Sequence, residues 1–81
     1  MSRIGVIAIV VEEFEQSQKV NEILHYFGQI IVGRMGIPYR ERGVYVISLT
    51  VDGTDEAISA LTGKLGNLPF VTVKAALTKK G

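Results

Sequence analysis

Apolar residues form four continuous runs along this chain, each bounded by polar or turn-forming residues. The runs "RIGVIAIVV" and "VYVISLTV" are rich in β-branched residues, which predicts a first and a third strand. The runs "QIIVGRMGI" and "FVTVKAAL" predict a second and a fourth strand. Pro38 is expected to end the second strand, because proline has no N–H to donate to a sheet. Asp52 and Gly53 close the third strand as a turn pair.

Between the first two strands, apolar residues recur with helical spacing. Val20, Ile23, Leu24 and Phe27 lie at i, i+3, i+4 and i+7, which predicts one stripe of an amphipathic helix. Gly28 is expected to end this helix in the left-handed conformation that glycine adopts most easily.

A second helix is predicted between the third and fourth strands. Thr54 is placed to cap its N-terminus, and Asp55 and Glu56 complement the helix dipole. An apolar stripe and then helix-ending residues mark the rest of it: Ile58, Leu61 and Leu65, followed by Gly66 and Pro69.

The order of these elements is strand, helix, strand, strand, helix, strand, which is two similar halves in series. Right-handed crossovers fold this order into an antiparallel four-stranded sheet with both helices on one face. The predicted fold is therefore α+β, ferredoxin-like βαββαβ, with strand order 4-1-3-2. The 81 residues leave room for one domain, residues 1–81.

The central strands are apolar on both faces, although the two helices can cover only one. In the first strand, Ile7, Ile9 and Val11 point one way, and the other face carries Ile4, Val6, Ala8 and Val10. In the third strand, Tyr45, Ile47, Leu49 and Val51 share one face, and Val44 and Val46 the other. A lone protomer would expose a contiguous apolar patch to water. We therefore expect a homodimer or homotetramer that buries the helix-free face or extends the sheet.

Composition and charge narrow the range of partners. The chain is 47% hydrophobic with a formal net charge of +1, whereas a domain that binds a phosphate backbone usually carries a clear basic excess. Direct binding of nucleic acid is therefore not expected. The apolar N-terminal run is too short to cross a bilayer and lacks a cleavage site, which predicts a cytoplasmic protein with no membrane contact.

Little in the sequence supports catalysis or metal binding. The chain has no cysteine and a single histidine, His25, which lies beside the helical stripe and is expected to be exposed. This excludes thiolate copper and iron–sulfur sites. The acidic residues Glu12, Glu13 and Glu15 are typical of a solvated loop before a helix. We expect no enzymatic activity, no metal and no cofactor.

The segment "GRMGIPYRERG" is the best candidate for a functional site. It can be read as a simple hairpin connection, in which Gly43 permits a tight return. However, Arg34 and Gly36 precede the turn, where glycine allows close approach and arginine can bind a carboxylate through two hydrogen bonds. The candidate ligand or subunit-contact residues are Gly33, Arg34, Gly36, Tyr39 and Arg40. A small anionic effector, or the "EEFE" segment of a neighbouring chain, would suit them.

The segments "GRMGIPYR", "VISL" and "LTGKLGNL" resemble a family of short bacterial proteins named as iron-only hydrogenase system regulators. The resemblance covers nearly the whole chain and implies a ferredoxin-like fold that is similar to ACT domains and to the C-terminal domain of the nickel-responsive regulator. Those relatives are oligomeric modules that bind effectors. Nickel sensing is not carried over, because this chain has one histidine and no cysteine.

Two functional hypotheses follow from the residues and the resemblance together. The first is an oligomeric, ACT-like regulatory module that binds a small anionic effector between subunits. The second is an interaction module without a ligand, which acts through a partner protein.

Overall fold

A computed structural model describes residues 2–79 and contains the predicted elements in the predicted order. Their bounds are β1 (Ser2–Val11), α1 (Ser17–Tyr26), β2 (Ile31–Tyr39), β3 (Val44–Thr54), α2 (Asp55–Gly66) and β4 (Val71–Leu77). Short 3₁₀ turns precede and follow α1, at Phe14–Gln16 and Gly28–Ile30. Of the predicted domain 1–81, Met1, Lys80 and Gly81 lie outside the described residues.

The four strands form one antiparallel sheet in the order β2-β3-β1-β4. This is the predicted order 4-1-3-2 in reverse, so the ferredoxin-like α+β fold is confirmed. The central pair is in register from Ser2 opposite Thr54 to Val11 opposite Tyr45. β2 and β4 are the two edge strands.

The core lies between the sheet and the two helices. Alternate residues of β1 and β3 point into it together with the apolar stripes of both helices, as predicted. Each of these side chains is at most 3% exposed: Ile7, Ile9, Val11, Val20, Leu24, Ile47, Leu49, Val51, Ile58, Leu61 and Leu65.

Thr54 caps α2 as predicted. Its side-chain oxygen accepts a hydrogen bond from the Ala57 amide at 3.1 Å. Removing an N-cap of this kind costs about 1 kcal/mol, because an N–H of the first turn loses its partner. We expect Thr54→Ala to lower the free energy of unfolding in urea by about that amount. Thr62→Ala is the matched control, because the Thr62 hydroxyl only donates to the Ser59 carbonyl within α2, and it should be nearly neutral.

The prediction for Gly28 is wrong. α1 ends at Tyr26, Phe27 follows with φ −96°, and the chain turns directly into the 3₁₀ turn Gly28–Ile30 without a left-handed residue. Gly66 is likewise the last residue of α2 and not a left-handed cap. Positive φ occurs in residues 2–79 at Gly43, as expected for a tight hairpin return, and at Phe70, where no residue pattern predicted it.

The face of the sheet opposite the helices is apolar and exposed. We call it the helix-free face and define it by Ile4, Val6, Val10, Met35, Ile37, Tyr39 and Val46. Val10 is half-buried, and the exposed fractions of the other six run from 38% at Val46 to 64% at Met35. The outward residues of β4 beside them are Thr72, Lys74 and Ala76. The predicted two-faced character of the central strands is thus present in the protomer.

Candidate effector and subunit-contact site

The edge strand β2 divides the predicted site residues between the two faces of the sheet. Gly33 and Tyr39 lie opposite Thr50 and Val44, so they belong to the helix-free side. Arg34 and Gly36 lie opposite Leu49 and Ile47, which are buried under the helices. Arg40 follows the strand in the exposed turn. The structure therefore does not bring the five residues to one surface, and their role as a single ligand site stays a prediction.

The Arg34 guanidinium lies toward α1. Its Nη2 donates to the Oδ1 of Asn21 at 2.8 Å, and both residues are exposed. A guanidinium has five N–H donors, and the structure shows no other hydrogen bond from this group to residues 2–79. Arg34 can therefore bind a carboxylate or phosphate while it stays attached to α1.

Gly36 is needed by the protein's own packing. A Cβ at this position would lie 2.6 Å from the Tyr45 hydroxyl and 3.0 Å from Cε1 of the same ring. Tyr45 is half-buried and packs beside the core. The close approach that the sequence predicted at Gly36 is thus made by Tyr45 of the neighbouring strand.

We expect Gly36→Ala to lower the free energy of unfolding by about 1–2 kcal/mol, because the Tyr45 ring must move. Gly33→Ala is the matched control in the same strand, since a Cβ there meets nothing within 4 Å. Tyr45→Phe removes the nearest atom, so the double variant Gly36→Ala/Tyr45→Phe should recover part of the loss in a double-mutant cycle. Equal stability of the two glycine variants would contradict this role for Gly36.

A shallow depression of about 300 Å³ opens on the sheet beside the helix-free face. It is lined by Gly33, Arg34, Met35, Ser48 and Thr50. The Ser48 and Thr50 hydroxyls point outward from β3, and neither makes a hydrogen bond to another described residue. A polar ligand could therefore use both.

Sequence reasoning missed Ser48 and Thr50. A signal was present in β3, whose outward positions change from Val44 and Val46 to two hydroxyl residues. An apolar face that serves only for packing does not require hydroxyl residues at these positions. Recognising it required the register that brings Gly33 and Met35 opposite these residues.

The acidic loop after β1 is exposed, as expected. A hydrogen bond to Glu15, together with its charge, raises the pKa of Glu13 above the ordinary value of 4.5. No three His, Cys, Asp or Glu side chains within residues 2–79 form a group that could hold a metal ion. Over the same residues, no helix is long and apolar enough to span a membrane.

The geometry is that of a small ferredoxin-like domain with one helix-covered and one apolar face. Residues 3–75 match the TM1266-like family, described as "Iron-only hydrogenase system regulator, putative", and the chain belongs to that family. The uncharacterized protein TM1266 from Thermotoga maritima has a similar structure, with 39% identity and a TM-score of 0.92 over 98% of this chain and 100% of that one. The resemblance to this regulator family that was seen in the sequence is confirmed.

Two more distant structures share the fold alone. The C-terminal domain of MgtC from Mycobacterium tuberculosis is 10% identical, with a TM-score of 0.72 over 96% of this chain and 89% of that one. The divalent ion tolerance protein CutA1 from Ehrlichia chaffeensis is 11% identical, with a TM-score of 0.51 over 100% of this chain and 86% of that one. A comparison with curated proteins gave no match.

Proposed function

We propose that this protein is a regulatory module of an iron-only hydrogenase system that works as a homo-oligomer. Its helix-free face packs against a second copy, and a small anionic effector binds between the two subunits. Membership of the regulator family supports the general role. The specific form of the proposal is carried by one observation, the apolar character of a face that no helix covers.

The size of that face is suited to a subunit interface. Four strands at about 4.8 Å spacing and about eight residues at 3.3 Å each give roughly 19 by 26 Å, or about 500 Å² in projection. A surface of side chains has more accessible area than its projection, which brings it near the ~800 Å² per partner of a stable interface. Water contact with Val6, Ile37 and Met35 ends when such an interface forms.

Assembly through this face would also enclose the depression at Ser48 and Thr50. An open hollow of about 300 Å³ becomes a cavity once a second sheet covers it, and enclosed sites bind small ligands best. The two hydroxyls supply hydrogen bonds, and the Arg34 guanidinium supplies positive charge from the other side of the edge strand β2, where it lies toward α1. The N–H donors of Arg34 that the bond to Asn21 does not use can bind a carboxylate that extends around the edge of β2, and a bidentate ion pair of this kind is strong.

The effector is tested by native mass spectrometry of protein purified without added ligand. We expect an oligomer that carries a reproducible extra mass. Arg34→Ala should lose the extra mass and keep the oligomer, because Arg34 lies outside the apolar contact. Arg42→Ala in the turn is the matched control for lost charge and should keep both. An unmodified oligomer with no extra mass would remove the effector from the proposal.

The exposed surface of the helices supports a second candidate function, that of an interaction module without a ligand. Tyr26 is 78% exposed and meets Phe27 edge to face at a ring-centroid distance of 5.2 Å. Beside them is a hollow of about 200 Å³, flanked by Glu22 and Lys64. An exposed aromatic next to such a hollow suits a partner protein. A bare oligomer in the mass spectrum would favour this function.

A further inference from the structure

The turn that leads into β4 holds an aromatic residue in a strained backbone conformation. Phe70 has a φ of 64°, in the left-handed region that disfavours bulky side chains. It follows Pro69, so it occupies the place after proline where turns with positive φ usually have glycine or asparagine. The Phe70 carbonyl accepts a hydrogen bond from the Glu12 amide at 2.8 Å, which joins this turn to the end of β1.

Within the protomer, the Phe70 side chain makes few packing contacts that could offset the backbone strain. Its side chain is 59% exposed and does not belong to the apolar cluster around the core. Glycine would adopt the same backbone conformation without strain. A residue that is both strained and exposed points to a contact outside the protomer, because strained positions cluster where function requires them.

The position of Phe70 in the sheet indicates which contact this is. Continuing the register of β1 with β3 and β4 places Glu12 between Val44 and Phe70. Val44 in turn lies opposite Tyr39 of the helix-free face. The row Tyr39, Val44, Glu12 and Phe70 thus ends the sheet with an exposed aromatic residue at each edge.

We infer that Phe70 is an anchor of the interface between two copies of this chain, presented by the strained turn at the aromatic end of the helix-free face. The inference rests on the proposed assembly through that face. The occupant is a second copy, since the apolar surface runs up to this row and the face is large enough for a stable dimer. Aromatic side chains at such positions carry a large share of binding energy.

The test uses the full chain and three substitutions. Phe70→Gly removes both the ring and the strain, whereas Phe70→Tyr keeps the ring and serves as the matched control. Dissociation constants are measured by sedimentation equilibrium from about 1 to about 100 µM. Unfolding in urea is then measured for Phe70→Gly in a Val46→Glu background, where the charge on the helix-free face should keep the chain monomeric.

We expect Phe70→Gly to raise the dissociation constant about tenfold or more, and Phe70→Tyr to change it by less than about threefold. In the monomeric background, Phe70→Gly should unfold at an unchanged or higher urea midpoint, because strain is relieved. A dissociation constant within about threefold of the unmodified chain, or a lower urea midpoint, overturns the role of Phe70.

The Val46→Glu variant separates this inference from the proposed function. If Val46→Glu dissociates the oligomer while Phe70→Gly does not, only the role of Phe70 fails. If the unmodified chain is monomeric throughout, the proposed assembly and the role of Phe70 fail together.

Discussion

Gly5→Ala is expected to destabilise this protein more than the same substitution at any other glycine of the sheet. Gly5 is buried on the central strand β1, opposite Leu77 of β4. A Cβ there would lie 2.6 Å from the Ala76 carbonyl oxygen and 3.2 Å from the Leu77 Cα, and it would also overlap the Leu77 side chain. Because backbone atoms cannot rotate away, β4 must separate from β1.

The expected loss is about 3 kcal/mol of unfolding free energy, at the upper end for an overpacked site. For a domain of this size, that corresponds to a melting temperature lower by roughly 15 °C. Gly63→Ala is the control with the same chemical change. Its Cβ meets nothing within 4 Å on α2, so the better helix propensity of alanine should raise stability by about 1 kcal/mol.

Thermal and urea unfolding followed by circular dichroism measure both variants under identical conditions. Opposite signs for Gly5→Ala and Gly63→Ala are the expected result. A Gly5→Ala protein that melts within a few degrees of the unmodified chain would show that β4 is not held closely against β1.

Val46→Glu is expected to convert the proposed oligomer into monomers. Val46 lies on the helix-free face between Val10 and Ile37 and is 38% exposed in the protomer. The protomer can therefore hold the carboxylate in water, but an interface would bury it without a partner. An uncompensated buried charge costs about 3–5 kcal/mol, which raises a dissociation constant by roughly two to four orders of magnitude.

Tyr26→Glu is the matched control on the opposite side of the molecule. It also replaces an exposed apolar residue with a carboxylate, but it lies on the helix layer at 78% exposure. Its oligomeric state should match that of the unmodified chain in sedimentation experiments. Dissociation by Tyr26→Glu, or persistence of the oligomer in Val46→Glu, would place the interface elsewhere.

Local patterns were sufficient to predict the fold. Period-two alternation separates Ile7 and Ile9 from Val6 and Val10, and the cap at Thr54 depends only on the next three residues. The end of α1 was missed at Gly28, because a 3₁₀ turn satisfies the same helix end without a left-handed residue. Phe70 was missed because "FVTV" has the composition of a strand while its first residue still belongs to the turn.

The candidate site depended on register, which the sequence did not specify. The pairing of β2 with β3 shifts between Ile31 and Gly33, and this irregularity precedes the part of β2 where Arg34 and Gly33 face opposite sides. Glycine is required at position 36 because the Tyr45 side chain occupies the space of a Cβ. Tyr45 is nine positions further along the chain and reaches Gly36 only after the hairpin closes. Ser48 and Thr50 could likewise be recognised as candidate ligand-binding residues only from the structure, which places them beside Gly33 and Met35.

Sedimentation equilibrium of the unmodified chain tests the proposed assembly most directly. The protomer has a mass of 8.8 kDa, so a dimer or tetramer is readily distinguished from a monomer. We predict a mass of at least two protomers from about 1 to about 100 µM, because the helix-free face is too apolar to remain in water. A single protomer throughout that range would contradict assembly through this face.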